Sequence, residues 1–290
     1  MIKVMSSKNY ENPSKNHGDC VVGIDGETAI IFDCGSEEHA KRVIEILDEH
    51  EVDKATVILS HNDDDHFKGI SYLIKEGRVS KLFTILLLKY KKELLDIIDD
   101  GRRKLSSIGN SIKDLYDNIA TLSGTVELRD VYADEAELPS QAKRIGPDLE
   151  YMLEAAAKGL DGREGDTIDN ETITNAASVQ INLTIGSAKL LLTGDCAPEA
   201  IPENEDLSEY SHIQLPHHGK PSLAEKIFER LGQNNDIIYV VSDNTGNSNG
   251  GSDDLNTQER NIKNTKNGDV DIDTSSSSSY NTYTRRTLGI

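Results

Sequence analysis

The stretch Val57-Ile-Leu-Ser-His-Asn-Asp-Asp-Asp-His-Phe67 constrains this chain more than any other. An aliphatic run of strand length passes directly into three adjacent aspartates held between two histidines. Adjacent carboxylates repel, and they are costly beside a core unless positive charge sits among them. A metal ion, a basic partner or bulk water would each answer that cost. The spacing His-x-Asp-x-Asp-His, formed by His61, Asp63, Asp65 and His66, suits metal ligation. In a tight loop after a strand, alternate residues can face one pocket, and Asp65 and His66 can turn toward a second ion beside the first. The competing reading is a solvated acidic loop, which is what most charge runs are.

Composition narrows the partners. The chain has 290 residues, with 31 Lys and Arg against 51 Asp and Glu, a formal charge of −20. That length suits one large domain or two small ones and allows a substantial core. The negative balance argues against a broad electrostatic groove for nucleic acid. It leaves a short or local nucleotide site open, because bound divalent ions invert local electrostatics. Cys20, Cys34 and Cys196 form no CxxC pair and no disulfide framework, which fits a reducing compartment. No apolar stretch of signal-peptide length opens the sequence, and the aliphatic run from Leu82 to Leu88 is too short to span a bilayer. The expectation is a cytoplasmic protein with no membrane contact.

Five short apolar runs end in polar residues: 29–32, 57–59, 190–192, 212–215 and 237–241. Runs this short and rich in Ile, Val and Leu read as buried strands. Their C-terminal ends carry Asp33, His61, Asp195, His217 with His218, and Asp243, and that is where α/β sheets carry their sites. Val179, Ile181, Leu183 and Ile185 alternate with polar residues, and Gly186-Ser187 turns this half-buried strand into the run at Leu190, a hairpin. Helical spacing covers 37–49, with Val43, Ile44 and Leu47 on one face, and also 149–158. It recurs through 90–120, as one helix or two broken near Gly101. Residues 161–175 read as an acidic loop, and 244–279, rich in Asn, Ser, Gly and Asp, as a long or partly disordered one.

The motifs together resemble the metallo-β-lactamase fold. "SHNDDDHFKGI" at 60–70 is similar to its second motif, above all in the ComEC-type competence-protein branch, where the middle ligand is Asp. "FDCG" at 32–35, "LLLTGDC" at 190–196 and "LPHHG" at 215–219 are similar to its first, bridging-aspartate and late histidine motifs, and "HGDCVVGIDG" at 17–26 to its early strand and turn. The resemblance implies an α+β fold, a metallo-β-lactamase-like αββα sandwich over residues 1–290. Approximately residues 88–160 would then be a helical insertion that shapes substrate access and offers a surface to a protein partner.

It also implies roles. His61 and Asp63 would hold one divalent ion, Asp65 and His66 a second, and Asp195 would bridge them. One of His217 and His218 would complete a metal shell while the other faces substrate. Asp65 would also orient the nucleophile, and Asp33 would brace the metal loop. Asn175 and Ser178 lie where many relatives keep another metal histidine and are expected near substrate, as is Lys220, where the family often has Ser. No histidine follows His218, although relatives often carry one near "SDN". Two close divalent ions acidify a shared water and clamp the scissile oxygen. An oxygen-rich donor set accepts Mn²⁺ as well as Zn²⁺. The function implied first is a phosphodiesterase or nuclease. A hydrolase of a carbonyl or small nucleotide substrate, and a non-enzymatic metal-stabilised interaction module, remain as alternatives.

Overall fold

The computed structural model describes residues 1–6, 18–98, 113, 126–161, 167–169, 171–232, 236–242, 252, 254–255 and 260–275. The first sheet contains β1 (Ile2–Val4), β2 (Val21–Asp25), β3 (Thr28–Phe32), β4 (Ala55–Ile58), β5 (Val79–Thr84) and β6 (Glu127–Asp130) in that order, with β15 (Val270–Ile272) outside β1. The second runs from β7 (Ala142–Gly146) through β10 (Gln180–Ile185), β11 (Ala188–Leu192), β12 (His212–Gln214) and β13 (Ile238–Val241) to β14 (Asn261–Asn264). A small hairpin pairs β8 (Thr167–Ile168) with β9 (Glu171–Thr172). The helices are α1 (Glu37–Glu49), α2 (Asp64–Lys75), α3 (Lys91–Ile98), α4 (Leu149–Asp161), α5 (Ile173–Ala176) and α6 (Pro221–Leu231).

The layers follow from strand periodicity. Side chains alternate faces along a strand, so a strand that is apolar at every position must be covered on both sides. Ile30, Phe32 and Ile58 of the first sheet meet Ile181, Leu190, Leu192 and Val240 of the second in one shared core. The interleaved Ile31, Val57 and Leu59 face outward onto Val43 and Leu47 of α1 and Ile70 and Leu73 of α2. Leu191, Ile213 and Tyr239 likewise face Ala224, Ile227 and Phe228 of α6. The result is helix, sheet, sheet, helix. Each of these fully buried aliphatic side chains contributes roughly 1.5–3 kcal/mol.

Pairing sets where the site falls. The strands β3 to β6 run parallel, as do β11 to β14, so the C-terminal ends within each group lie together. The hairpin of β10 and β11 pairs Ile181 with Leu192 and turns at Gly186, whose φ is +58°.

Three expectations change. Within 88–160, Glu127–Asp130 and Ala142–Gly146 are edge strands of the two sheets rather than helix. Their apolar signal is weak because most positions on both faces are only partly buried. Of the helical reading over 90–120, α3 is present, and 99–112 and 114–125 lie outside the described residues. The acidic segment 161–175 holds β8, β9 and the start of α5. Within 244–279, β14 and β15 each join a sheet, although their composition is polar. Backbone pairing and ion pairs hold this part: Asp269 binds Arg42 at 2.6 Å and accepts from the Ser6 amide at 2.9 Å. Among the described residues, no helix is long and apolar enough to cross a membrane.

Candidate metal centre

The aspartate run is a helix start rather than an extended loop. Asp63 is the N-cap of α2, and Asp64 and Asp65 occupy its first turn, where unpaired backbone N–H groups favour negative charge. Each carboxylate then has a separate fate. Asp64 points to solvent and pairs with Lys68 at 2.7 Å. Asp65 turns inward to His218, with Oδ2 3.3 Å from Nε2. Asp63 stands at the rim, half exposed, with Oδ2 3.7 Å from the Nε2 of His61.

The loop is laced to its neighbours through backbone. The Asp19 amide donates to the Asp65 carbonyl at 3.0 Å, and the Cys34 amide to the His66 carbonyl at 2.8 Å. The approach is so close that a Cβ on Gly18 would fall 1.6 Å from the Asp65 carbonyl oxygen, and Gly18 also has φ +69°. Only glycine satisfies both conditions.

Each central imidazole is held through Nδ1. His66 bonds Asp33 at 2.8 Å, and Asp33 also accepts from the amide and hydroxyl of Ser60, both at 2.7 Å. His61 meets the hydroxyls of Ser60 at 2.9 Å and Ser178 at 3.1 Å. His218 donates to the Ser242 carbonyl at 2.9 Å, with Asp19 3.4 Å away. His217 bonds buried Glu171 at 2.8 Å. This arrangement leaves the Nε2 atoms to converge. His66 Nε2 lies 3.4 Å from Asp195 Oδ1, and His217 Nε2 lies 3.7 Å from Asp195 Oδ2.

The residues fit divalent cations. The Nε2 atoms of His61 and His66 and the Oδ1 of Asp195 are buried without a hydrogen-bond partner. Donors of His61, His66 and Asp195 lie within 4.8 Å of one another, as do those of Asp65, His66 and His218, and those of Asp19, Asp195 and His218. The electrostatics agree. Burial opposes charge on His66, but Asp195 and Asp33 outweigh it and hold its pKa well above the usual imidazole range. Against the same burial, Asp195, Asp19 and Asp65 raise His218. Burial would raise Asp65, yet the hydrogen bond to His218 brings it down to about 2. The carboxylates around His66 and His218 thus gather negative charge of the kind a bound cation balances.

Of the residues expected at the site, His61, Asp65, His66, Asp195 and His218 come together, and Asp33 braces His66. His217 stays outside these donor groups, beside Asp195. Ser178, expected near substrate, holds His61, and Lys220 is bound to Glu171. Asn175 is buried with its Oδ1 unpartnered. His217 and His218 both have positive φ, +50° and +55°, as does Gly219 at +77°. Left-handed backbone at two non-glycine residues costs roughly 1–3 kcal/mol each and persists only where the surroundings enforce it. Sequence reading missed the roles of Asp19 and Glu171. Asp19 follows Gly18 inside a quoted motif and was open to discovery, whereas Glu171 sits in an acidic segment with no local mark.

Solved structures with a similar fold include the following three, each of low identity. One is a putative metallo-β-lactamase from Thermotoga maritima, at 14% identity over 80% of this chain and 91% of that one, TM-score 0.38. The human short-form tRNase Z is similar at 11% identity over 82% and 92%, TM-score 0.43. Zn²⁺-bound PqqB from Methylobacterium extorquens is similar at 12% over 94% and 100%, TM-score 0.44. No curated protein sequence matches the chain. The family model of the metallo-β-lactamase superfamily matches residues 16–242, and the chain belongs to that superfamily.

Proposed function

We propose that this protein is a metal-dependent hydrolase that holds two divalent ions, zinc or manganese, and cleaves a phosphodiester. The observation that carries the reading is the convergence of His61, Asp65, His66, Asp195 and His218 in overlapping donor groups, with the buried Nε2 atoms of His61 and His66 and the Oδ1 of Asp195 unpartnered. His61 and Asp63 would hold one ion and Asp65, His66 and His218 the other, with Asp195 shared. Bound ions would supply an acidified water and polarise the scissile oxygen. The attacking water gives up a proton and the departing oxygen takes one. His217, steadied through Nδ1 by Glu171, has its Nε2 on the Asp195 side for that transfer. Asp63, where relatives commonly place histidine, supports the ComEC-type assignment and hence the phosphodiester. The charge of −20 favours a short substrate over a long polyanion.

One observation favours a second reading, hydrolysis of a carbonyl ester or lactone: an apolar recess adjoins His61. The test is turnover of bis(p-nitrophenyl) phosphate with Mn²⁺ and with Zn²⁺, wild type beside Asp65→Asn. Metal-dependent turnover that disappears in the variant supports the first reading. No turnover, in protein shown by elemental analysis to hold two ions, overturns phosphodiester cleavage and leaves the ester reading.

A further inference from the structure

The donor cluster opens on one side into a cavity of about 340 Å³. Ser60, His61, Asn62 and Asp63 form the wall nearest the metal centre. The opposite wall is aliphatic, with Ile85, Leu87, Met152, Ala156, Leu160 and Ile173. Thr84 and Thr174 add hydroxyls, and no Lys or Arg among the described residues lines the space. The volume falls in the range of small-molecule sites.

The aliphatic wall is built rather than incidental. Met152 is fully buried in a satellite core with Tyr90, Leu94 and Ile98, which locks α4 against α3. That packing leaves Ala156 and Leu160 only half buried, on the cavity side of α4. Gly159 completes the fit, because a Cβ there would meet Ile173 of α5 at 3.0 Å. Ile85 and Leu87 follow β5, next to the strand that delivers His61. A polynucleotide running along the aliphatic wall would set phosphates against hydrocarbon with no Lys or Arg of the described lining to meet them, at a high desolvation cost.

We infer that the recess receives the apolar chain of a small substrate, an acyl or alkyl group whose scissile bond lies at His61 and Asp63. The inference rests on the metal-hydrolase reading and adds its substrate class. Binding is hydrophobic, so each methylene that enters the recess raises kcat/KM roughly threefold to fourfold until the space is full.

The experiment uses the metal-loaded full chain and two substrate series of increasing chain length, p-nitrophenyl alkanoates and alkyl p-nitrophenyl phosphodiesters. The series that responds identifies the bond cleaved. A rise in kcat/KM with chain length is expected, flattened in Ala156→Phe, which fills the recess, and displaced to longer chains in Leu160→Ala, which enlarges it. Circular dichroism checks that both variants fold, and either one suffices for the comparison. Turnover with a flat chain-length profile overturns the recess and leaves the hydrolase standing. If neither series turns over, calorimetric titration with alkylphosphonates from butyl to octyl separates the two readings. Affinity that grows with chain length and is lost in Ala156→Phe keeps the recess while hydrolysis of these bonds falls, and affinity indifferent to length overturns the recess as well.

Discussion

The donor cluster at the ends of β3, β4, β11 and β12 and the recess beside it are two walls of one cleft, and they are held by different means. In the cluster, His61, His66, His217 and His218 are each fixed through Nδ1 to an oxygen of a named partner. Hydrogen bonds and charge set the geometry there, and a small displacement leaves a buried charge unpaired. In the recess, the shape comes from helix packing among apolar side chains of α3, α4 and α5. Such a wall tolerates exchange of one hydrocarbon for another. On the proposed reading this is a division of labour: the strand ends would fix what chemistry is done, and the helices beyond β5 what it is done to.

Substitutions can break that division or sharpen it. The largest effect is expected from Asp195→Asn. Loss of the carboxylate proposed to be shared by the two ions should remove several kcal/mol of charge stabilisation, a fall in kcat/KM of about 10³-fold on every chain length alike. Steady-state kinetics across one substrate series checks this, and a loss confined to long chains would break the comparison. Next comes Asp33→Asn. It touches no substrate, yet it releases the hold on His66, and metal affinity should fall about 10- to 100-fold, measured by competition with a chromogenic chelator. Glu171→Gln should lower kcat about as much while leaving the metal content from elemental analysis unchanged, because it steadies His217 rather than a proposed ligand.

Gly18→Ala tests the backbone instead. The overlap with the Asp65 carbonyl and the positive φ together should cost at least about 1–3 kcal/mol, a Tm lower by several degrees in thermal unfolding followed by circular dichroism. The smallest effect is expected from Lys68→Ala. Its exposed ion pair with Asp64 sits one residue from the site, yet stability should change by less than about 1 kcal/mol and kcat/KM should stay as in wild type. A large loss there would mean that Asp64 contributes to the cleft.

What was legible in the sequence tracks the same division. Ala29-Ile-Ile-Phe32 and Leu190-Leu-Leu192 are apolar at every position because both faces of β3 and β11 are covered, and that signal is local. The polar residues that end such runs, Asp33, His61 and Asp195, are local too, so their place at strand ends was legible, whereas a shared site for His61, His66 and Asp195 came from the resemblance to the family motifs. Asp64, Asp65 and His66 read as a loop because the N-terminal turn of α2 is rich in aspartate, and cap chemistry looks like turn chemistry. Glu171 was invisible because its meaning lies in His217, 46 residues away. β14 and β15 were missed for a related reason: Asn261–Asn264 pairs through backbone with β13, and backbone bonding leaves no mark in the side chains. The recess was unreadable because its walls come from residues between 60 and 177, brought together only by tertiary packing.

The pairing of β1 with β15 has a consequence for biosynthesis. Ile2 stands opposite Ile272, and Asp269 grips both Lys3 and Arg42. As the chain leaves the ribosome, β1 can settle on β2 once Val21–Asp25 has followed it, but its other edge stays bare until Val270–Ile272 has been made. A bare strand edge is a template for pairing with other chains, and contacts of such long sequence separation form slowly. The nascent protein therefore carries an open edge on the sheet that bears Asp33, His61 and His66 throughout the synthesis of the segment between β1 and β15. Truncations that remove 270–272 should leave that edge open for good and drive the purified protein toward aggregates, as light scattering would record.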